Sequence, residues 1–297
     1  MKAVVARAGR QYAELEESPE PTPAAGEVLV RVGAAAVNPA DLLVEQGVLR
    51  EPFGLPDVVG DGYDFAGEVA ALGAGVTDLA VGDRVAGLAA DLSRKPRAHA
   101  DIVAVPRDSV APVPRGLELT AAATVPLTAL TADQALDDLG DPAGRSLLIT
   151  GAAGGVGGFA VRLAADRGWQ VSALARPTDK DFVIGAGATD LLTTLPRAEF
   201  DVVFDAAGLQ ETALAAVRDG GRFHGVMPVA VPTSERGIET SAVLVQPDAA
   251  RLAELLELVA DGRLTVRIAG TVPLKDFRTA YDALASGGQR GRWLLRP

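Results

Sequence analysis

The sequence contains no cysteine. That absence excludes disulfides, thiol nucleophiles, iron–sulfur clusters and cysteine-ligated zinc together. Histidine is almost as scarce, with His99 and His224 the only two. A catalytic zinc takes about three protein ligands from His, Cys and carboxylates, so the chain is expected to hold no metal. Basic residues are in deficit: 28 Lys and Arg face 39 Asp and Glu, a formal charge of -11. Such a balance argues against a nucleic-acid partner, which needs a basic field to release phosphate counterions. No stretch approaches the roughly 20 uninterrupted apolar residues of a membrane span, and the first residues lack the apolar core of a signal peptide. A soluble, cytoplasmic protein with no membrane partner is the expectation.

What is present is the composition of a packed globular chain, 48% hydrophobic and 23% charged over 297 residues, which sets a prior of one or two domains. The first 110 or so residues read as short strands broken by turns: Lys2 to Ala6, Glu27 to Val32, Gly67 to Ala71 and Val81 to Val85. Gly or Pro bounds these runs, which points to a small β-rich domain. From about residue 117 the rhythm changes. Leu119 to Leu139 reads as one long helix, and Ser146 to Thr150 as a strand buried on both faces of a parallel sheet. Gln170 to Ala175, Asp201 to Phe204 and Arg222 to Val226 read as further strands, with helices between them, the pattern of βαβ units with right-handed crossovers. Helices are expected at Leu252 to Val259 and Phe277 to Leu284, and a last strand at Arg292 to Leu295.

The most informative segment is Gly151-Ala152-Ala153-Gly154-Gly155-Val156-Gly157. From Ala152 it reads A-x-G-x-x-G, the dinucleotide fingerprint with alanine at its first position. Small residues let backbone N–H groups approach a pyrophosphate, and the helix that follows points its positive end at the anion. The segment follows a strand and opens a helix, the context that gives the pattern its meaning. Gly154, Gly155, Val156 and Gly157 are therefore candidate cofactor ligands. An NAD-selective site offers Asp or Glu at the end of the second strand. Here that strand ends in Arg176, with Asp179 and Lys180 beyond it. A guanidinium matches a 2′-phosphate in bidentate fashion, so Arg176 and Lys180 point to NADPH.

Several segments together resemble the zinc-independent medium-chain dehydrogenases/reductases, in particular the quinone oxidoreductase branch. They are Asn38-Pro39-Ala40-Asp41, Gly62 to Gly67, Val81 to Val85, Pro126 to Ala132, Gly151 to Gly157, Asp201 to Gly208 and Arg290-Gly291-Arg292. They run in the family's order and span nearly the whole chain. The resemblance implies an α/β protein with a GroES-like β-rich catalytic domain (1–116 and 247–297) and a Rossmann doubly wound parallel sheet (117–246), with the active site in the cleft. Zinc-dependent relatives carry a Cys and a Gly-His-Glu motif where this chain has Ala40-Asp41 and Gly62-Tyr63-Asp64. Carried over by position, Asn38 and Thr131 approach the nicotinamide and its ribose. Ala206, Ala207, Gly225, Val226, Met227, Val245 and Gln246 line the cofactor groove at successive strand ends. Close quinone reductases have aromatic residues after the Asn-Pro-x-Asp segment and an Arg before the next Gly. This chain has Leu43, Leu49 and Glu45-Gln46-Gly47 there, which implies a more aliphatic pocket.

Without zinc to polarise a carbonyl, a conjugated acceptor is the better substrate, since it takes hydride at carbon and spreads charge onto its oxygen. The expected activity is NADPH-dependent reduction of a quinone or α,β-unsaturated carbonyl. A pathway reductase of a bulky polyketide-like enone, or an NADPH-binding sensor or structural protein with little turnover, are the alternatives. Asn38, Thr131 and His99 are the candidate catalytic residues. Tyr63 and Tyr281 are the other side chains of a suitable type to protonate the product, and solvent is a further candidate, since protonation need not use a side chain. Ala242-Val243-Leu244-Val245 offers an apolar edge of the Rossmann sheet, through which a homodimer is expected.

Overall fold

A computed structural model describes all 297 residues. The chain divides into two compact units: Met1–Leu127 with Gln246–Pro297, and Thr128–Val245. The first unit holds β1 (Lys2–Arg7), β2 (Glu14–Glu17), β3 (Glu27–Ala36), α1 (Pro39–Glu45), α2 (Arg50–Phe53), β4 (Val58–Gly60), β5 (Asp64–Leu72), β6 (Arg84–Leu88), β7 (Ile102–Pro106), β8 (Val110–Pro112) and α3 (Leu119–Ala122). α4 (Pro126–Leu139) then carries the chain into the second unit. There it forms β9 (Ser146–Thr150), α5 (Gly155–Asp166), β10 (Gln170–Leu174), α6 (Lys180–Gly185), β11 (Asp190–Leu192), β12 (Phe200–Asp205), α7 (Glu211–Leu214), β13 (Val217–Gly225) and β14 (Glu239–Ala242). The first unit is completed by α8 (Ala249–Ala260), β15 (Ile268–Pro273), α9 (Phe277–Ala285) and β16 (Arg292–Arg296).

In the first unit a seven-stranded sheet has the order β15-β16-β3-β5-β6-β8, with β7 also paired to β3, beside a small β2-β1-β4 sheet. Val28, Val30, Phe65, Val85 and Val110 form its core, contributed by alternate residues along β3 and single residues from neighbouring strands. The last strand of the chain closes on the third: Leu294 and Leu295 of β16 pair with Ala36 and Ala35 of β3.

The second unit is a six-stranded parallel sheet, β11-β10-β9-β12-β13-β14. Sequence order runs outward from β9 on one side and from β12 on the other, so the winding reverses between them. Crevices at the carboxyl ends of strands flanking such a reversal are where α/β sheets bind ligands. Thr150, Asp205, Gly225 and Ala242 align across four strands as the last rung of the sheet on this side. β9 and β12 read as apolar runs because both their faces are covered, and Leu147, Leu148, Ile149, Val202, Val203 and Phe204 are all 0% exposed.

Four expectations are corrected. The first crossing between units falls after Leu127 rather than after residue 116, because α3 packs on the first unit's sheet: Leu119 Cδ1 lies 3.0 Å from where a Cβ on Gly33 of β3 would stand. The return crossing falls between Val245 and Gln246. The single helix expected over 119–139 is two, because Pro126 cannot continue α3 but suits the first turn of α4. The edge strand is Glu239–Ala242 rather than Ala242–Val245, so the outer strand is polar and the apolar residues follow it. The sequence reading also passed over β11, three residues long. No helix is long and apolar enough to cross a membrane.

Candidate functional site

In the second unit, β9 ends at Thr150 and the chain turns through Gly151 to Gly154 into α5. Gly151 has φ +56, a left-handed conformation that side chains disfavour, and a Cβ on it would stand 3.0 Å from Ala207 Cβ. A Cβ on Gly157 would collide with the Gly151 carbonyl oxygen, so the turn and the first turn of α5 sit too close for any larger residue. Gly154 is the N-cap, and Gly154 and Gly155 are exposed while Gly157 is buried. The first-turn N–H groups have no intrahelical acceptor. An open helix start backed by a glycine cradle fits the pyrophosphate of a nicotinamide dinucleotide.

The other candidates lie mostly at or beyond the strand ends. Ala206 and Ala207 follow β12 directly, and Gly225 closes β13 with Val226 and Met227 next. Arg176 and Lys180 are exposed beyond the end of β10, and Asp179 between them is buried. Thr131 is buried on α4. Val245 and Gln246 lie beyond β14, which stops at Ala242, and are placed in different units. His224 belongs to β13, where its Nδ1 is 2.8 Å from Ser241 Oγ.

The sequence reading quoted Thr150 and Asp205 but gave them no role. Thr150 Oγ1 donates to Asp205 Oδ1 at 2.6 Å and accepts from the Ala207 N–H at 3.1 Å. Asp205 Oδ2 accepts from the Gln210 N–H at 2.8 Å. Both side chains are 0% exposed. The available signal was a polar residue directly after a buried apolar run in each of two core strands, Leu147 to Ile149 and Val202 to Phe204, since a buried polar group without a partner is costly.

The first unit holds a second polar assembly, with Asn38 at its centre. Asn38 is 1% exposed. Its Nδ2 donates to Asp64 Oδ2 at 3.0 Å and to the Ala36 carbonyl at 3.2 Å, and its Oδ1 accepts from Arg292 Nη2. Its backbone N–H donates to Asp41 Oδ2 at 2.6 Å, so the acid three residues on caps the start of α1. Arg292 also lies 3.3 Å from Asp64, whose other oxygen accepts the Leu127 N–H at 2.6 Å. Glu45, at the site of the departure from the quinone reductase pattern, is buried, accepts the Ala13 N–H at 2.8 Å and pairs with Arg278.

His99 is 0% exposed, with Nε2 3.2 Å from the Ala36 carbonyl and Nδ1 2.8 Å from the Tyr281 hydroxyl. A carbonyl only accepts, so Nε2 carries the proton and Nδ1 accepts from Tyr281. Burial pushes the imidazole down to about 4, so the ring is neutral at pH 7 and sealed from an acceptor. One donor atom each from Asp41, Asp61 and His99 lie within 4.8 Å of one another, yet both ring nitrogens are engaged and leave no lone pair for a cation. Burial raises Asp41 and Asp61 to about 7 and Asp64 to about 6. Asp41 Oδ1 and Asp61 Oδ2 have no hydrogen-bond partner, a state that a neutral carboxyl tolerates far better than a carboxylate. This assembly stores protons within the fold. Tyr63, 8% exposed, stacks beneath the Arg97 guanidinium at 4.1 Å from the ring centre.

Residues 24–115 match the alcohol dehydrogenase GroES-like domain, and residues 178–295 match a family described as zinc-binding dehydrogenase. The chain is similar to an NADPH-dependent alkenal/one oxidoreductase of Arabidopsis thaliana, at 30% identity over 91% of this chain and 72% of that protein. It is also similar to a spectinabilin polyketide synthase system protein, NorB, of Streptomyces orinoci, at 33% identity over 92% of this chain and 13% of that protein. Among solved structures, the quinone oxidoreductase of Coxiella burnetii superposes with a TM-score of 0.88 at 26% identity, covering 100% of this chain and 99% of that one. With its GroES-like β-rich unit and its doubly wound parallel sheet, the chain belongs to the medium-chain dehydrogenase/reductase superfamily, in the quinone oxidoreductase-like branch, a group of oxidoreductases that use a nicotinamide cofactor.

Proposed function

We propose that this protein reduces a quinone or an α,β-unsaturated carbonyl with NADPH. The observation that carries the reading is the glycine cradle at the carboxyl end of β9, open at the start of α5, together with the exposed Arg176 directly beyond β10, where Asp179 is buried. Gly154 to Gly157 hold the pyrophosphate through backbone N–H groups. Arg176 and Lys180 hold the 2′-phosphate, and Ala206, Ala207, Gly225, Val226 and Met227 leave room along the strand ends. The bound cofactor supplies a hydride. Thr131 is assigned to the nicotinamide end, with Val245 and Gln246. Asn38 reaches a ligand only by exchanging one of its present partners, so it acts first by holding Asp64 and Arg292 in place. With His99 sealed, solvent supplies the proton that completes reduction. The similarity to a polyketide synthase system protein supports a second reading, a bulky polyketide-like enone as substrate.

The test is steady-state oxidation of NADPH and NADH against a panel of quinones and of small and bulky enones. Preference for NADPH, with an Arg176→Ala variant losing affinity for NADPH but not NADH, supports the reading. Equal use of the two cofactors, or unchanged NADPH affinity in the variant, sinks the cofactor assignment. Turnover confined to bulky enones selects the second reading, and binding without turnover across the panel points to a sensor. A homodimer through the β14 edge is part of the same reading, and a monomeric mass in light scattering argues against it.

A further inference from the structure

We propose that Thr150 and Asp205 form a latch that sets the width of the cofactor crevice, making both of them positioning residues for the dinucleotide. The proposal rests on the reading that this crevice takes NADPH. The two residues end the two strands between which the sheet's winding reverses, and they face each other on the same rung. The backbone ladder already joins β9 to β12, so the side-chain bond between them is not needed to pair the strands. Each of the two side chains also reaches forward into the loop after β12. The Thr150 hydroxyl uses its proton on Asp205 and a lone pair on the Ala207 N–H, while the second Asp205 oxygen takes the Gln210 N–H.

The loop is therefore pinned at both ends to the two strand termini. Its near end is drawn against the glycine turn, where Gly151 and Ala207 leave no space for a second methyl group. Its far end holds Gln210 at φ 55 and ψ -122, a conformation that a residue with a side chain adopts only under constraint. The hydrogen bond from the Gln210 N–H to Asp205 is that constraint. A strained residue beside a ligand crevice, held by a buried carboxylate, keeps the loop in one place before the ligand arrives. The latch acts on the backbone facing the pyrophosphate-binding turn and not on Arg176, so it is indifferent to the 2′-phosphate.

The experiment uses full-length Thr150→Val, Thr150→Ser and Gln210→Gly variants, with NADPH and NADH dissociation constants from cofactor fluorescence and thermal unfolding of each. Loss of a hydrogen bond of this kind predicts about tenfold weaker binding in Thr150→Val, by the same factor for NADPH and NADH. Thr150→Ser, which keeps the hydroxyl, restores it. A general loss of packing would not be rescued by serine. Gln210→Gly keeps the N–H that Asp205 accepts but relieves the strain and widens the backbone freedom on either side of it, so it folds at least as well and binds both cofactors more weakly. Thr150→Val that stays folded and binds NADPH within about twofold of wild type overturns the latch. If that variant does not fold, unchanged binding by Gln210→Gly overturns it. If the wild type binds neither cofactor, the functional reading falls and the latch falls with it. If the wild type binds and only the variants disappoint, the latch alone is wrong.

Discussion

Asp205 and Asp61 are both 0% exposed, yet their surroundings differ in kind. Asp205 stands alone at the end of a strand and receives one donor on each oxygen. Asp61 sits near Asp41 and His99, has a partner on only one oxygen, and is driven up to about 7 by burial and by Asp41. One unit keeps a buried carboxyl by giving it hydrogen bonds. The other keeps several by letting protons stay on. The first arrangement fixes its carboxyl by geometry, and the second responds to pH. Each unit also carries one of the two tryptophans, Trp169 in the second and Trp293 in the first, so Trp169→Phe and Trp293→Phe backgrounds let fluorescence follow each unit in turn.

The harshest test removes the cation of the crowded cluster. Arg292→Leu strands Asp64 and one side of Asn38, and should cost the first unit about 3–5 kcal/mol in urea unfolding, with the Trp169 signal little moved. A loss below about 1 kcal/mol would mean that the cluster relaxes as a surface pair does. Next in size is Asp205→Ala, which leaves the Thr150 hydroxyl and the Gln210 N–H without acceptors and should cost the second unit about 2 kcal/mol.

The pH response comes third. Folded Asp41 and Asp61 hold their protons up to about 7, whereas an unfolded chain releases them near 3.8. The folded state binds more protons through that window, so stability falls as pH rises through it. His99, held at about 4 against an ordinary 6.5, works the other way and loses its contribution as pH falls through that lower range. Above pH 6.5 the carboxyls act alone, and the first unit should lose about 1 kcal/mol between pH 6.5 and 8. Asp61→Asn should flatten that fall, and a profile unchanged by the substitution would remove Asp61 from the account. The smallest effect belongs to a charge outside both sites. Arg167 bridges buried Asp133 and the largely exposed Asp137, and Asp137→Asn should change stability by less than about 0.5 kcal/mol.

The fold and the glycine turn were legible because they are written in local patterns. β9 and β12 are continuous apolar runs, Gly151 to Gly157 follow one of them, and α8 and α9 show helical spacing. The polar assemblies were not legible, because their members come from distant parts of the chain: Asn38 meets Arg292, and His99 meets Tyr281. Nothing near His99 in sequence distinguishes an accessible acid from a sealed, neutral ring. The break at Pro126 was readable from proline's own geometry. The position of the outer strand was not, because Glu239, Thr240 and Ser241 make most of β14 polar while Val243 to Val245 look more like a strand than it does.

The pairing of β16 with β3 has a consequence for the order of events during synthesis. The first unit's main sheet joins Ala36 to Leu294, so it lacks a strand until the ribosome has made residues about 260 positions beyond β3. The second unit is contiguous, Thr128–Val245, and needs nothing made after it. Domains fold as their residues emerge, so the cofactor-binding unit should be protected from protease on a stalled nascent chain that ends after residue 245. On the same chain the end of β3 at Ala35 and Ala36 still lacks its β16 partner, which has yet to be made.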